Sequence, residues 1–211
     1  MQAAKRGILF VMTGASGVGK DTIRRDALPG FNDLHYSISA TTRERRPGEI
    51  EGVNYHFVTQ EAFHGMIRAD EMLEYAEYVG DFYGTPLRPV LEALEAGVDV
   101  LVELELVGAR QVKRRLPEAR MLFIAPPSLG ELERRLRGRG TDSEAKMQLR
   151  LARAREEIRA MREFDYVVVN DHLPSAVADF QGIIRAERAR AARITDEEIE
   201  AFLRTSPGGV S

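Results

Sequence analysis

The stretch "GASGVGKDT", Gly14 to Thr22, constrains this chain more than any other part of it. It follows a short apolar run, "GILFVMT" at 7–13, which reads as a buried strand ending in a Gly-rich turn. A strand that stops at glycines, with a helix beginning near Gly19, points backbone N–H groups and the positive helix end at an anion. Gly14, Gly19 and Lys20 have the spacing of a phosphate-binding loop, G-x-x-x-x-G-K, with Ala15, Ser16, Gly17 and Val18 between them. Lys20 supplies a point charge for β- and γ-phosphates. One position departs from the pattern. Asp21 stands where a Mg²⁺-holding hydroxyl is usual, and Thr22 brings a hydroxyl one residue late. In the first turn of a helix an acid gains about 0.3–1 kcal/mol from the macrodipole. Beside a triphosphate it repels, unless Mg²⁺ or its water shell lies between.

Apolar runs like the first recur at "VDVLVELEL" (98–106), "ARMLFIAP" (119–126) and "DYVVVN" (165–170). Helical stripes lie between and after them: Leu129, Leu132 and Leu136; Met147, Leu151, Ala154, Ile158 and Met161; Leu173, Val177, Phe180 and Ile184. Strands alternating with helices imply an α/β fold, a parallel sheet covered on both faces. From about His35 to Arg88 the rhythm changes to short alternating pieces that hold five of the six tyrosines, Tyr36, Tyr55, Tyr75, Tyr78 and Tyr83. This predicts a small mixed lobe inserted in the core, a natural place for a second substrate. "RGRGTDS" at 137–143 predicts a hinge between two helices. Thr195 is a good N-cap for "TDEEIEAFL", and the tail 205–211 is expected to be disordered.

A length of 211 residues suits one domain with inserted lobes. The absence of cysteine excludes disulfides and thiolate metal sites and fits a reducing compartment, so a cytoplasmic location is expected. The first apolar run is too short for a signal-peptide core or a membrane span. The net charge of −3 argues against a general nucleic-acid binder. Four of the 30 basic residues are Lys, which leaves 26 Arg, so an exposed Arg counts only in a specific context. The run "RAERARAAR" (185–193) reads as a solvated helix face, and the four His show no ligand spacing, so no protein-caged metal is expected.

The loop pattern G-K-x-[ST] resembles that of nucleoside monophosphate kinases, and G-K-D with a following hydroxyl also resembles ribose 1,5-bisphosphate phosphokinases. The loop alone therefore implies phosphoryl transfer and leaves the acceptor open. The stretch "SISATTRERRPGEIEGVNYHFV" (37–58) narrows it, because it resembles the GMP-binding segment of guanylate kinases. The likeness continues through "MLEYAEYVGDFYGTP" (72–86), "FIAPPS" (123–128), "GRGT" (138–141) and "VVVND" (167–171). It spans roughly residues 7–190.

That resemblance implies a P-loop kinase with a parallel-sheet core (5–34, 89–134 and 152–195), a GMP-binding lobe (35–88) and a mobile lid (about 135–151). It implies that Arg43, Arg46 and Tyr55 hold the GMP phosphate, a dianion that suits arginine forks and a phenol donor. It places Glu74 at the guanine edge, with Ser39 and Thr85 at the matching hydroxyl positions and Tyr83 near the phosphate. The chemistry agrees: guanine offers two adjacent donors, N1–H and the exocyclic NH₂, which one carboxylate accepts, whereas adenine offers an acceptor and a donor. Such a site discriminates because the wrong base leaves buried groups unpaired. Glu103 and Glu105, two apart in an expected strand, should share a face near its C-terminal end. Here the chain reads "ELELVG" where the family carries acid-x-D-x-Q-G, so Glu105 replaces the common Asp and Val107 the common Gln. Glu103 keeps its family position, so the resemblance implies that it is the acid of this pair that takes part in GMP binding.

The implied reaction is ATP + GMP to ADP + GDP with Mg²⁺, in which the nucleophile is an already anionic phosphate oxygen and no general base is needed. Lys20, with Arg139 and Arg150 of the lid and Arg135 nearby, should supply charge to the moving phosphoryl group. Asn170 is expected to touch adenine. A ribose bisphosphate kinase would share the loop but has no use for the guanine-reading segment. A catalytically silent binding module would not need the intact Gly14, Gly19 and Lys20.

Overall fold

The structure, a computed structural model, describes residues 5–138 and 143–204. Leu9–Gly14 (β1) lies at the centre of a five-stranded parallel sheet. On one side it pairs with Asp99–Glu103 (β7), which pairs in turn with Leu34–Tyr36 (β2). On the other side it pairs with Arg120–Ala125 (β8), followed by Tyr166–Val169 (β9) at the edge. Both faces of β1 are buried, as the continuous apolar run requires. Phe10 and Met12, with Leu122 and Ile124, pack under the helices Lys20–Ala27 (α1) and Leu173–Arg188 (α7) through Ile23, Phe180 and Ile184. Leu9 and Val11, with Val100, Val102 and Met121, pack under Leu87–Glu95 (α3) and Leu106–Arg115 (α4) through Val90, Leu94, Ala109 and Val112. The fold class expected from the alternating pattern is the one observed.

A second, four-stranded sheet is built from Ala40–Thr41 (β3), His56–Phe57 (β4), Met72–Tyr78 (β5) and Asp81–Pro86 (β6), in the order β4-β3-β6-β5. It has its own small core, Ala40, Phe63 and Met72, closed by the helix Gln60–Arg68 (α2). Two features tie it to the main body. Leu73 of β5 is 2% exposed within the core under α3 and α4. The Gln111 amide of α4 pairs with the main chain of Tyr75, accepting from its N–H at 3.2 Å and donating to its C=O at 2.8 Å.

Leu129–Arg137 (α5) and Glu144–Arg159 (α6) pack together through Leu132, Leu136, Met147, Leu151 and Ala154, and this cluster includes Ala15 of the phosphate loop. Each helix starts at a serine cap: Ser128 accepts from the Glu131 N–H at 3.1 Å, and Ser143 from the Lys146 N–H at 3.4 Å. Of the hinge expected at 137–143, residues 139–142 lie outside the described residues, as does the tail 205–211. Asp196–Arg204 (α8) opens with a reciprocal cap, in which Thr195 Oγ1 accepts from the Glu198 N–H and the Glu198 carboxylate accepts from the Thr195 N–H.

Two expectations are corrected. The strand expected over 98–106 stops at Glu103, and Glu105 becomes the N-cap of α4, because Leu106 and Ala109 are the first residues of a helical rather than an extended stripe. The run 185–193 is not a free solvated face. Glu187 within it is 1% exposed and takes ion pairs from Arg120 and Arg190 and a hydrogen bond from Tyr166. Arg188 pairs with Asp99 at 2.6 Å and with Asp33 at 2.9 Å, tying α7 to the sheet.

Candidate active site

The phosphate loop leaves β1 at its C-terminal end, where parallel sheets place ligands. Gly17 and Gly19 have φ of 89° and 99°, values that side chains rarely adopt, and both are further crowded. A Cβ on Gly17 would lie 2.5 Å from Leu136, and one on Gly19 would lie 2.6 Å from the Asn170 amide nitrogen. Gly19 caps α1, so its N-terminal N–H groups open toward the loop. Ala15 and Val18 are fully buried and anchor the loop, while Ser16 is exposed above it. Lys20 folds back over the loop and donates to the Gly14 carbonyl at 2.8 Å. Asn170, 6% exposed, donates to the Val18 carbonyl at 2.8 Å. It braces the loop from behind and is not among the residues lining the cleft.

Asp21 projects into solvent, 86% exposed, and pairs loosely with Arg24 at 3.3 Å. Arg24 was not anticipated. It lies 4.2 Å over the Tyr36 ring and 3.5 Å from the Glu103 carboxylate. The facing atoms, Arg24 Nε and Glu103 Oε2, are buried and make no hydrogen bond. Burial pushes the Glu103 carboxyl up, Lys20 and Arg24 pull it down, and Asp21 pushes it up. The Tyr36 hydroxyl is pushed up to about 12, first by burial and then by Glu103. An arginine among 26 carries no sequence signal of its own, which is why Arg24 escaped notice.

In the second lobe, Arg43 Nη2 donates to Glu49 Oε1 at 2.7 Å and Nη1 to the Glu44 carbonyl at 2.6 Å. Its guanidinium lies 5.7 Å from the centre of the Tyr55 ring, and the Tyr55 and Tyr83 rings meet edge to face at 6.0 Å. Burial pushes the Tyr55 phenol up, and Tyr83 adds to that while Arg43 opposes it. Arg43, Tyr55 and Tyr83 therefore form one group. Arg46 remains exposed and enters only through its N–H, which donates to Glu49 Oε2 at 2.8 Å. Glu49, the acid of "RRPGE", orders this turn and holds Arg43, a role the sequence reading missed.

Glu74, on β5, is 6% exposed, and its Oε1 accepts from the Thr85 hydroxyl at 2.8 Å. Burial pushes its carboxyl up to about 7, against the opposing Thr85 hydrogen bonds. Thr85 is fully buried, whereas Ser39 is half-buried and its carbonyl accepts from the His56 N–H. Glu103 links the two halves, since Lys20 lowers its proton affinity while it raises that of Tyr55.

Above the loop, α6 closes a cleft of about 890 Å³ lined by Ser16, Lys20, Thr22, Glu105, Arg150 and Glu157, among others. Arg150 donates to the Ser16 hydroxyl at 2.7 Å. Arg153 lies 5.5 Å over the Tyr78 ring and 3.9 Å from Glu105, so helix and lobe touch. Glu105 is 70% exposed and faces Arg153, unlike Glu103; the shared strand face does not exist. Val107 is exposed. Burial pushes the Glu157 carboxyl up, with Lys20 opposing. Arg135 is taken up by Glu131 at 2.7 Å and does not line the cleft, and Arg139 lies outside the described residues. Among the described residues, no three His, Asp or Glu side chains converge to hold a metal ion, while Asp21 and Thr22 both line the cleft.

A loop of N–H donors with a lysine stands across Glu103 from an arginine and two phenols. A phosphate loop at the end of the central strand of a parallel sheet is the arrangement of the P-loop kinase fold. The guanylate kinase family model matches residues 6–187. The chain is 57% identical over 199 residues to a guanylate kinase of Thermus thermophilus, covering 94% of this chain and 90% of that one. It is 50% identical over 192 residues to the guanylate kinase of Streptococcus pneumoniae, covering 90% and 92%. A crystal structure of guanylate kinase from Anaplasma phagocytophilum superposes with a TM-score of 0.76 at 29% identity, covering 96% of this chain and 98% of that one. The chain belongs to the guanylate kinase family.

Proposed function

We propose that this enzyme transfers the γ-phosphoryl group of ATP to GMP, giving ADP and GDP, by positioning and charge stabilisation alone. The observation that carries the acceptor is the buried Glu74 carboxylate beside the Thr85 hydroxyl. A buried carboxylate held by Thr85 alone is still costly to keep charged, and guanine supplies two further donors side by side. Arg43, Tyr55 and Tyr83 hold the GMP phosphate, and Arg46 joins them from the turn that Glu49 orders. Ser39 adds a hydroxyl on the same side of the lobe. The loop from Gly14 to Lys20 holds the ATP phosphates, with Asn170 acting through the loop it braces.

One phosphate oxygen of GMP attacks the γ-phosphorus while the bond to the β,γ-bridging oxygen breaks, and the electron pair leaves with ADP. The attacking oxygen needs no general base, because it carries charge already near neutral pH. Lys20 and Arg150 face the region where charge spreads in the transition state, and Arg139 is assigned to the same lid. Arg135 reaches ATP only by leaving Glu131. The oxygen donors of Asp21 and Thr22 beside Lys20 fit a Mg²⁺ carried mainly by the nucleotide and water. When bound, that ion neutralises the β- and γ-phosphate oxygens.

We assign the work to the expected segments, core 5–34, 89–134 and 152–195, GMP lobe 35–88, and lid about 135–151, with two overlaps: Tyr36 belongs to β2 of the main sheet, and α6 runs unbroken through 151 to Arg159. Closure of α6 through Arg150 and Arg153 excludes water, which otherwise competes as acceptor. No helix among the described residues is long and apolar enough to cross a membrane. The use of ATP and GMP favours the cytoplasm, where both nucleotides are made and consumed. Neither nucleic acid nor membrane enters this reading.

The test is Mg²⁺-dependent ADP formation from ATP, with GMP, AMP and ribose 1,5-bisphosphate offered separately. Turnover with GMP far above the other two is expected. Turnover with the ribose bisphosphate alone would sink the reading. Asp21→Ser is expected to keep kcat/KM within about tenfold, ~1.4 kcal/mol, because the Asp21 side chain is 86% exposed and held only by Arg24. A Mg²⁺ titration of the variant checks this. A loss as large as that of Lys20→Ala would instead make Asp21 an indispensable ligand of that Mg²⁺.

A further inference from the structure

Gly108 lies in α4, and its φ is not among the positive ones, so the helical backbone does not call for glycine there. Gly108 is the third residue of that helix, where glycine has more backbone freedom to lose than alanine. What requires glycine is space. A Cβ at Gly108 would lie 2.5 Å from Glu74 Oε2, 3.1 Å from the carboxyl carbon and 3.5 Å from Cγ. The helix has no room to back away. Ala109 and Val112 are fully buried against the sheet, and Gln111, one turn on from Gly108, pairs with both main-chain groups of Tyr75, the residue after Glu74. On its other side the carboxylate is held by Thr85, at 2.8 Å. An added methyl group therefore displaces the carboxylate, the mobile end of a side chain, and not the helix.

We propose that Gly108 is a specificity-determining position, whose missing side chain lets the Glu74 carboxylate lie flat against α4 with both oxygens aligned for two adjacent donors of the acceptor base. The proposal rests on Glu74 reading guanine. Gly108 touches no substrate; it acts by positioning Glu74. The acceptor pair that reads this alignment is GMP against IMP, which lacks the exocyclic amino group and so offers one donor fewer.

The experiment compares steady-state kinetics for GMP and IMP, the KM for ATP and thermal melting in the wild type, Gly108→Ala, Glu74→Ala and the double variant. Gly108→Ala is expected to melt at or above the wild-type temperature and to leave the KM for ATP unchanged. Its GMP-to-IMP ratio of kcat/KM should fall about tenfold or more, as expected when a hydrogen-bonding site loses its alignment. In the Glu74→Ala background, which has no carboxylate to displace, Gly108→Ala should change neither nucleotide. A ratio that stays at the wild-type value, or an equal loss in the Glu74→Ala background, overturns the proposal and leaves Gly108 a packing residue. If Gly108→Ala melts well below the wild type, recovery of the melting temperature in the double variant supports the displacement and its absence overturns it. If Glu74→Ala itself keeps the GMP-to-IMP ratio, the guanine reading fails, and this proposal falls with it for that separate reason.

Discussion

Lys20→Ala is expected to lower kcat by about a thousandfold, roughly 4 kcal/mol of transition-state stabilisation. Lys20 opens α1, directly after the left-handed Gly19, and its ammonium is pinned over the loop by the Gly14 carbonyl at 2.8 Å. A charge held in place before the substrate arrives costs no reorganisation when the phosphoryl group moves. Among the described residues, the other cations that line the cleft, Lys146, Arg150 and Arg153, come from α6 and depend on that helix for their reach. Lys20→Arg should recover little, because a planar fork does not fit a cradle shaped around a compact ammonium. The variant should melt within a few degrees of the wild type, since Lys20 is only half-buried and loses one hydrogen bond to a carbonyl. The check is kcat at saturating GMP and ATP, with a melt on the same sample. Activity within tenfold of the wild type would mean that the triphosphate does not sit on this loop.

The two proposed anion sites differ in how far the sequence revealed them, and the reason is range. The phosphate loop is made by nine consecutive residues whose glycines and lysine work through local geometry, so its pattern is visible without a fold. The parallel sheet was visible too, because strands buried on both faces must be apolar throughout. That same rule hid the end of β7: "VDVLVELEL" continues to look extended past Glu103, although the chain has already turned at Glu105 to cap α4. Glu74 was reached through resemblance to a family. Its own surroundings, "MLEYAEYV", alternate like any half-exposed strand and say nothing of the 6% exposure that Gly108 and Thr85 impose. Arg24 and Arg153 depend on partners about 80 and 50 positions away, Glu103 and Glu105, and in an arginine-rich chain no local signal separates them from a solvated face. Asn170 illustrates the converse. Its place after an apolar run was legible, but not the direction of its amide, which supports the loop at Val18.

Glu74→Gln is expected to reduce kcat/KM for GMP by two to three orders of magnitude, ~3–4 kcal/mol, while AMP loses far less. An amide places a donor where guanine also presents one, so a buried N–H is left facing another. The same amide complements adenine, whose edge pairs one acceptor with one donor. The pH dependence separates this from general damage. In the free protein burial raises the Glu74 carboxyl from 4.5 to about 7, so the folded state binds a proton that the unfolded state has released. Stability therefore falls as pH rises from about 4.5 to about 7, by an amount on the order of 3 kcal/mol, and then levels off. Glu74→Gln lacks that loss and should melt above the wild type at pH 8 without ligand, despite its poorer catalysis. GMP binding needs the charged form, so wild-type kcat/KM for GMP should decline as pH falls through about 7. The second ionisation of the GMP phosphate, near ~6, adds its own decline in both proteins. The carboxyl contribution is thus the ratio of wild type to variant, which should be constant above about pH 8 and shrink below about 7. Parallel profiles, or a variant that melts lower at pH 8, would mean that the Glu74 carboxylate is a structural charge satisfied within the protein and that another group distinguishes guanine. Buried and held within the protein by Thr85, this carboxylate makes the free enzyme less stable as it ionises toward neutral pH, and GMP binding is expected to recover that stability.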